Sequence, residues 1–122
     1  MRKSLFATLI LILTPILAET AGNAYPKIST YVTSGTLNKS VQMCLDQMKG
    51  AANQAGLSAS PQIVMDKNGN AGDFHTESSN LSLHFTARCN SVSNTWSMAL
   101  SGTDPSSTYA KFREIADFIY KK

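Results

Sequence analysis

Two hydrophobic periods alternate along the chain, one typical of strands and one typical of helices. Apolar and polar residues alternate over residues 28–33, and this period of two predicts a first strand. Over residues 37–55 apolar side chains recur at every third or fourth position, which predicts a helix. Thr36 is its expected N-cap, and Gly56 is the expected left-handed residue that ends it.

The middle of the chain is dominated by strand patterns. Residues 62–65 are a short β-prone run, residues 66–73 are rich in Asn and Gly and predict a turn, and residues 74–77 predict a further short strand. The clearest alternation covers residues 81–89 and, after a loop, residues 96–101. This pair predicts a hairpin with one apolar face and one polar face.

A second helix is predicted at the end of the chain. Asp104 followed by Pro105 provides an N-cap with proline at the first helical position. The apolar stripe of this helix, spaced by three and four residues, consists of Tyr109, Phe112, Ile115, Ala116 and Ile119.

The element order β-α-β-β-β-α and the one-sided apolar patterns predict the fold class. We expect an α+β two-layer sandwich, in which a mostly antiparallel sheet of about four to five strands carries both helices on one face. Cys44 lies in the apolar stripe of the first helix, and Cys89 lies on the apolar face of a strand. Both cysteines should therefore meet between the two layers.

These two cysteines are the only ones in the chain, and they are too far apart in sequence for a Cys-x-x-Cys redox centre. We expect a structural disulfide between Cys44 and Cys89, with two buried thiols as the alternative. Closing a loop of this length restricts the unfolded chain by about 4 kcal/mol in the chain-entropy model. The bond would supply a large share of the stability of so small a domain.

The first eighteen residues have the pattern of an export signal. Arg2 and Lys3 precede an apolar run over residues 5–13, and the small residue Ala18 offers a cleavage site. The predicted organisation is a cleaved signal peptide over residues 1–18, with a cut as late as residue 24, then a flexible N-terminus over 19–26 and one globular domain over 27–122. The apolar segment is shorter than the roughly 20 residues that span a bilayer. We expect a periplasmic or secreted, bacterial protein without a membrane span in its mature chain.

Removing the signal peptide changes the charge balance. The full chain has 11 Lys and Arg against 8 Asp and Glu, a net charge of +3. Cleavage after Ala18 removes Arg2 and Lys3, and the remaining basic residues are scattered. A nucleic-acid partner is therefore not expected.

The segment that begins at Asp66 resembles the calcium loop of EF-hand proteins. Oxygen-bearing side chains occupy the positions that ligate calcium in that loop: Asp66, Asn68, Asn70 and Glu77. The place that requires glycine is Ala71, and Asp73 stands where the family has an apolar residue. The resemblance implies calcium as a cofactor, and the alternative is a solvated turn in which Asn and Gly adopt left-handed backbone.

The polar face of the predicted sheet is the second candidate site. Tyr31, His84 and Arg88 would project from it together and could anchor a carboxylate or an aromatic side chain of a partner. The alternative is an ordinary hydrophilic surface.

Three functions follow from these candidates. The first is a small exported, non-enzymatic binding or accessory protein of the inhibitor, immunity or envelope-associated type, with a protein as its partner. The second is a calcium-stabilised structural or adhesion module that uses the loop from Asp66 to Glu77. The third is a small enzyme that uses His84 or His75, although the sequence contains no Gly-x-Ser-x-Gly nucleophile motif.

Overall fold

A computed structural model describes residues 27–80 and 82–121. The predicted signal peptide, its alternative cleavage sites and the predicted flexible N-terminus lie outside these residues. Within the described ranges, no helix is both long enough and apolar enough to cross a membrane.

The described residues form five strands and two helices in the predicted order. The elements are β1 (Ser29–Thr36), α1 (Val41–Gln54), β2 (Ala59–Met65), β3 (Ala71–Glu77), β4 (Leu83–Asn90), β5 (Thr95–Gly102) and α2 (Pro105–Tyr120). The strands form one sheet in the spatial order β1-β5-β4-β3-β2, and every neighbouring pair is antiparallel.

Both described helices pack on the same face of this sheet, which we call the inner face. α1 contacts β3 and β4, whereas α2 contacts β1 and β5, and the helices also contact each other. The apolar stripes therefore meet the apolar strand positions in one core, which includes Leu45, Met48, Phe74, Phe85, Leu100 and Ile115. The predicted α+β two-layer sandwich is confirmed.

The predicted disulfide joins the two layers. Cys44 and Cys89 are bonded with a Cα–Cα distance of 6.2 Å, and their side chains are almost completely buried. The bond ties the first turn of α1 to the end of β4, the central strand of the sheet. It therefore fixes the helical layer on the central strand of the sheet rather than on a terminal one.

One predicted cap of α1 is confirmed and the other is wrong. Gly56 has a φ of +88°, and the amide of Leu57, which is buried, donates to the carbonyl of Ala52. The N-cap is Ser40, whose hydroxyl accepts from the Met43 amide, and not Thr36. Thr36 pairs with β5 as the last residue of β1, so the helix begins one turn later than predicted.

The predicted strand boundaries in the middle of the chain are too narrow. β2 begins at Ala59, which pairs with Glu77 beyond a register shift. β3 begins at Ala71, because the ladder extends almost to the tip of the connecting turn. The Asp66 amide donates to the Ala71 carbonyl and closes that turn. The predicted start of α2 is confirmed, since the Asp104 carboxylate accepts from the Ser107 amide and Pro105 opens the helix.

Candidate functional site

The outer face of the sheet, on the side away from α1 and α2, brings several candidate side chains together. Residues that pair directly across antiparallel strands point to the same face, so the register sets rows of side chains. The first row on the outer face consists of Thr30, Ser101, His84 and Glu77. The second row consists of Val32, Ala99, Thr86, His75 and Gln62. The third row consists of Ser34, Ser97, Arg88, Asp73 and Val64.

Tyr31 does not belong to this face, and its predicted place beside His84 and Arg88 is wrong. It pairs with the fully buried Leu100, and its ring packs on the inner face against Tyr109 and Phe112, at centroid distances of 5.2 and 5.8 Å. Exposed Val32 takes the outer position instead. A large aromatic ring under α2 buries more apolar area than Val32 would, and a shift by one residue reverses every side chain of a strand.

Arg88 lies on the outer face in the middle of an ion-pair cluster. Its guanidinium donates to the Asp66 carboxylate and to the Asp73 carboxylate, each at 2.9 Å. The hydrogen bond with Asp66, followed by that with Asp73, holds the pKa of Arg88 above its ordinary value. The cluster ties β4 to β3 and to the turn that follows β2, and it leaves the cation neutralised by two anions.

The structure separates Glu77 from the other three residues of the predicted calcium site. Asp66, Asn68 and Asn70 lie in the tight turn between β2 and β3, where the Asn68 side chain accepts from the Asn70 amide. Glu77 lies at the other end of β3, which at about 3.4 Å per residue is roughly 20 Å from the turn. EF-hand loops are compact because helices flank them, whereas strands carry the chain away from this turn.

Glu77 instead faces His84 across β3 and β4. The His84 Nδ1 atom lies 3.3 Å from the Glu77 carboxylate, and both side chains are partly exposed. Nearby, the His75 Nδ1 atom lies 3.0 Å from the Thr86 hydroxyl. These residues surround a depression of about 320 Å³ on the outer face. Among the described residues, no group of three or more His, Cys, Asp or Glu side chains has a geometry that holds a metal ion.

A shallow trough crosses the outer face from β1 over β5 to β4. It encloses about 580 Å³ and is open to solvent along its length. Val32 and Ser34 line one end, Ala99 and Ser97 the middle, and Arg88 the other end. Because the middle side chains are small, another protein surface can approach the strands closely.

A cleft between the ends of the two described helices was not predicted. It encloses about 560 Å³ beside the buried indole of Trp96, and exposed Met43 and Tyr120 line its mouth. Lys39 closes one side by donating to the Gln47 side chain at 2.6 Å. The sequence signal for this cleft is Met43, a large apolar residue on the polar side of the α1 pattern. The position of α2 next to α1 could not be predicted, because local periodicity does not show which elements pack together.

Comparisons with protein-family models, with curated proteins and with solved structures found no match.

Proposed function

We propose that this chain is an exported, non-enzymatic binding protein whose outer sheet face docks a partner protein. The single observation that carries the proposal is the trough across β1, β5 and β4, whose floor consists of small side chains on central strands. In the described part of the chain, no element covers this face, because α1 and α2 both lie on the inner one. An accessible, shallow surface lined by small side chains allows a protein partner to pack closely.

The charges of the outer face define the chemistry of the partner. The half formed by β2, β3 and β4 carries Asp66, Asp73 and Glu77 against Arg88, whereas the half formed by β5 and β1 is uncharged. A complementary surface would therefore place a basic side chain over the acidic half. Small polar or apolar side chains would cover Ala99 and Val32.

Export is supported by two independent features of the chain. The N-terminal sequence has the charge and hydrophobic pattern of a signal peptide. A structural disulfide such as Cys44–Cys89 is typical of proteins in oxidising compartments, where such bonds form and persist. The proposed setting is the periplasm or the culture fluid of a bacterium, with cleavage after Ala18.

Affinity capture with matched variants tests the docking surface. The bait is the disulfide-intact chain from residue 19, presented to envelope and culture-fluid extracts. Ala99→Arg places a long cation in the middle of the trough, while Lys49→Glu changes an exposed residue on α1, on the other side of the molecule. We expect one protein to be retained by the wild type and by Lys49→Glu and to be lost with Ala99→Arg. Equal retention by Ala99→Arg contradicts docking on the outer face.

A second candidate function, a hydrolase, is favoured by one row of the outer face. Ser101, His84 and Glu77 lie side by side on β5, β4 and β3, in the order of a nucleophile, a base and an orienting carboxylate. The Ser101 hydroxyl, however, lies 2.9 Å from the Thr30 hydroxyl as its bonded partner, and the row is open to water. These features rank this candidate below protein binding.

Ester hydrolysis separates this candidate from the first. A hydrolase that uses this row loses p-nitrophenyl acetate turnover on Ser101→Ala and keeps it on Ser97→Ala, a serine four residues away on the same strand and face. Turnover equal to that of buffer in the wild-type protein removes the candidate.

A further inference from the structure

The backbone of β1 leaves a continuous row of hydrogen-bonding groups on one edge of the sheet. β1 is a terminal strand, and its register with β5 extends to Leu37, whose amide donates to the Asn94 carbonyl. In an antiparallel ladder only alternate residues bond to the neighbouring strand, so the odd-numbered residues of β1 bond to β5. The N–H and C=O groups of the even-numbered residues therefore point away from the sheet: Thr30, Val32, Ser34 and Thr36.

The other terminal strand, β2, is obstructed as a pairing edge. The Asp66 amide donates to the Ala71 carbonyl, so the even-numbered residues at this end of β2 are the ones that bond to β3. The N–H and C=O groups of Ile63 and Met65 therefore point away from the sheet, to its edge. Before them the register shifts between Ala59 and Gln62, Ser60 has a φ of +50°, and Pro61 has no N–H to donate. A bulge and a proline are devices by which edge strands avoid pairing with other chains.

None of these devices occurs in β1. Its sequence, STYVTSGT, contains no charged residue and no proline, and all eight residues keep one register with β5. Val32, in its middle, is 69% exposed. Among the described residues, the side chain that reaches an edge-directed group of β1 is that of Tyr120. Its hydroxyl donates to the Ser34 carbonyl at 3.4 Å, and a carbonyl oxygen can accept a second bond.

We propose that the β1 edge pairs with the β1 edge of a second copy of this chain. The two strands run antiparallel about a two-fold axis at Val32, so that Val32 faces Val32 of the other copy and Thr30 faces Ser34. This register overlaps residues 28–36 of both copies fully, and every edge-directed group in it meets a complementary one. The product is a closed dimer with a continuous ten-stranded sheet, the doubled form of the five-stranded one.

The side chains beside the edge are complementary to their own copy. On the outer face Val32 and Ala99 form a small apolar patch that would continue across the axis. On the inner face, Tyr109 contacts Tyr31 and Tyr120 contacts Thr33, so α2 runs along β1 with its middle at the level of Val32.

The middle of α2 carries a pair of opposite charges. Arg113 and Asp117 lie one helical turn apart, close enough that the carboxylate contributes to holding the pKa of Arg113 above its ordinary value, after a hydrogen bond with Tyr109. A two-fold axis between these two positions sets each cation against the anion of the other copy. An uncharged partner strand without a flanking helix would lack this match, which favours a second copy over an unrelated extended peptide.

Sedimentation equilibrium of two matched variants tests the pairing. Val32→Lys and Val64→Lys change exposed valines on the outer face, one on each terminal strand. Over about 10 to 500 µM we expect the wild type and Val64→Lys to dimerise with the same dissociation constant. Val32→Lys should weaken the dimer by at least about tenfold, because it sets two lysines directly opposite each other.

Oxidative crosslinking tests the register without depending on a charge. The proposed axis places the two Val32 Cα atoms about 5.5 Å apart, within disulfide range. Val32→Cys should form a disulfide-linked dimer under mild oxidation, and Val64→Cys should not. A wild type that stays monomeric over the whole range overturns the proposal, whether or not an added extended peptide binds. A dimer that Val32→Lys and Val64→Lys weaken equally also overturns it.

Discussion

The two terminal strands of the sheet differ in what their sequences allow next to them. β1 and β2 are both solvent-facing, and each carries an exposed valine on the outer face. β2 contains Pro61 and a register shift, whereas β1 is regular, uncharged and free of proline. A strand that ends a sheet without such protection is expected to have a partner. The difference between the two terminal strands therefore predicts that this molecule pairs with another strand through the β1 edge and not through the β2 edge.

Breaking the disulfide tests whether both edges belong to one cooperative unit. Replacing Cys44 and Cys89 by alanine should lower the free energy of unfolding by about 4 kcal/mol, since a loop of this length is no longer closed in the unfolded chain. The measurement is urea denaturation followed by circular dichroism. Because the bond holds the helical layer on the central strand β4, amide protection should fall on β1 and on β2 together. Loss confined to one edge would contradict a single unit.

Gly35 tests how the β1 edge is held on the sheet. A Cβ atom at this position would lie 2.6 Å from the Trp96 ring, which crosses β1 at the glycine. Gly35→Ala should therefore cost about 1–3 kcal/mol in thermal or urea unfolding, the usual cost of overpacking. Gly50→Ala is the matched control, since a Cβ there meets nothing within 4 Å and alanine favours the helix. Equal effects of the two substitutions would contradict this role of Gly35.

Pro61 tests the protection of the β2 edge. Pro61→Val returns an N–H to the strand and adds a residue with high β propensity. With both edges then available, association should continue beyond the dimer, and sedimentation velocity should detect species larger than the wild-type dimer. We expect these species to be a minor fraction, because the register shift between Ala59 and Gln62 remains. A distribution identical to the wild type would show that the proline is not what protects this edge.

Arg88 should have the smallest effect, and it should act on one edge alone. Arg88→Met removes the ion pairs with Asp66 and Asp73 that tie the end of β2 to β4. The side chains are 31–42% exposed, so solvent screening limits the loss to less than about 1 kcal/mol. Hydrogen exchange should rise at the Asp66 amide, which donates to the Ala71 carbonyl, and stay unchanged at the Thr33 amide, which bonds to β5. A loss above about 2 kcal/mol would contradict the screened, local role.

The fold was largely predictable because its elements carry one-sided hydrophobic patterns. The alternation over β4 and β5 and the stripes of α1 and α2 each identify the buried side locally, and they direct Cys44 and Cys89 to the same interface. β1 is the exception. Tyr31 and Val32 are neighbours that point to opposite faces, so the local pattern does not determine which of them is buried. Contacts with α2 determine that Tyr31 points inward.

The candidate sites were predictable only where they depend on neighbours in sequence. His84 and Arg88 share the outer face because they lie four residues apart on one strand. The partners of Arg88 come from two other segments, and Glu77 faces His84 rather than the turn at Asp66, since both depend on the register between strands. The difference between the two edges also needed the strand order, because no local pattern identifies which strands end a sheet.

Residue-resolved hydrogen exchange at two protein concentrations tests the central claim most directly. The Val32 amide points out of the β1 edge, and the Ile63 amide points out of the β2 edge. Raising the concentration from about 10 to 500 µM should slow exchange at Val32 by tenfold or more and leave Ile63 unchanged. Exchange at Val32 that is independent of concentration, or slowing of equal size at Ile63, would contradict pairing through β1.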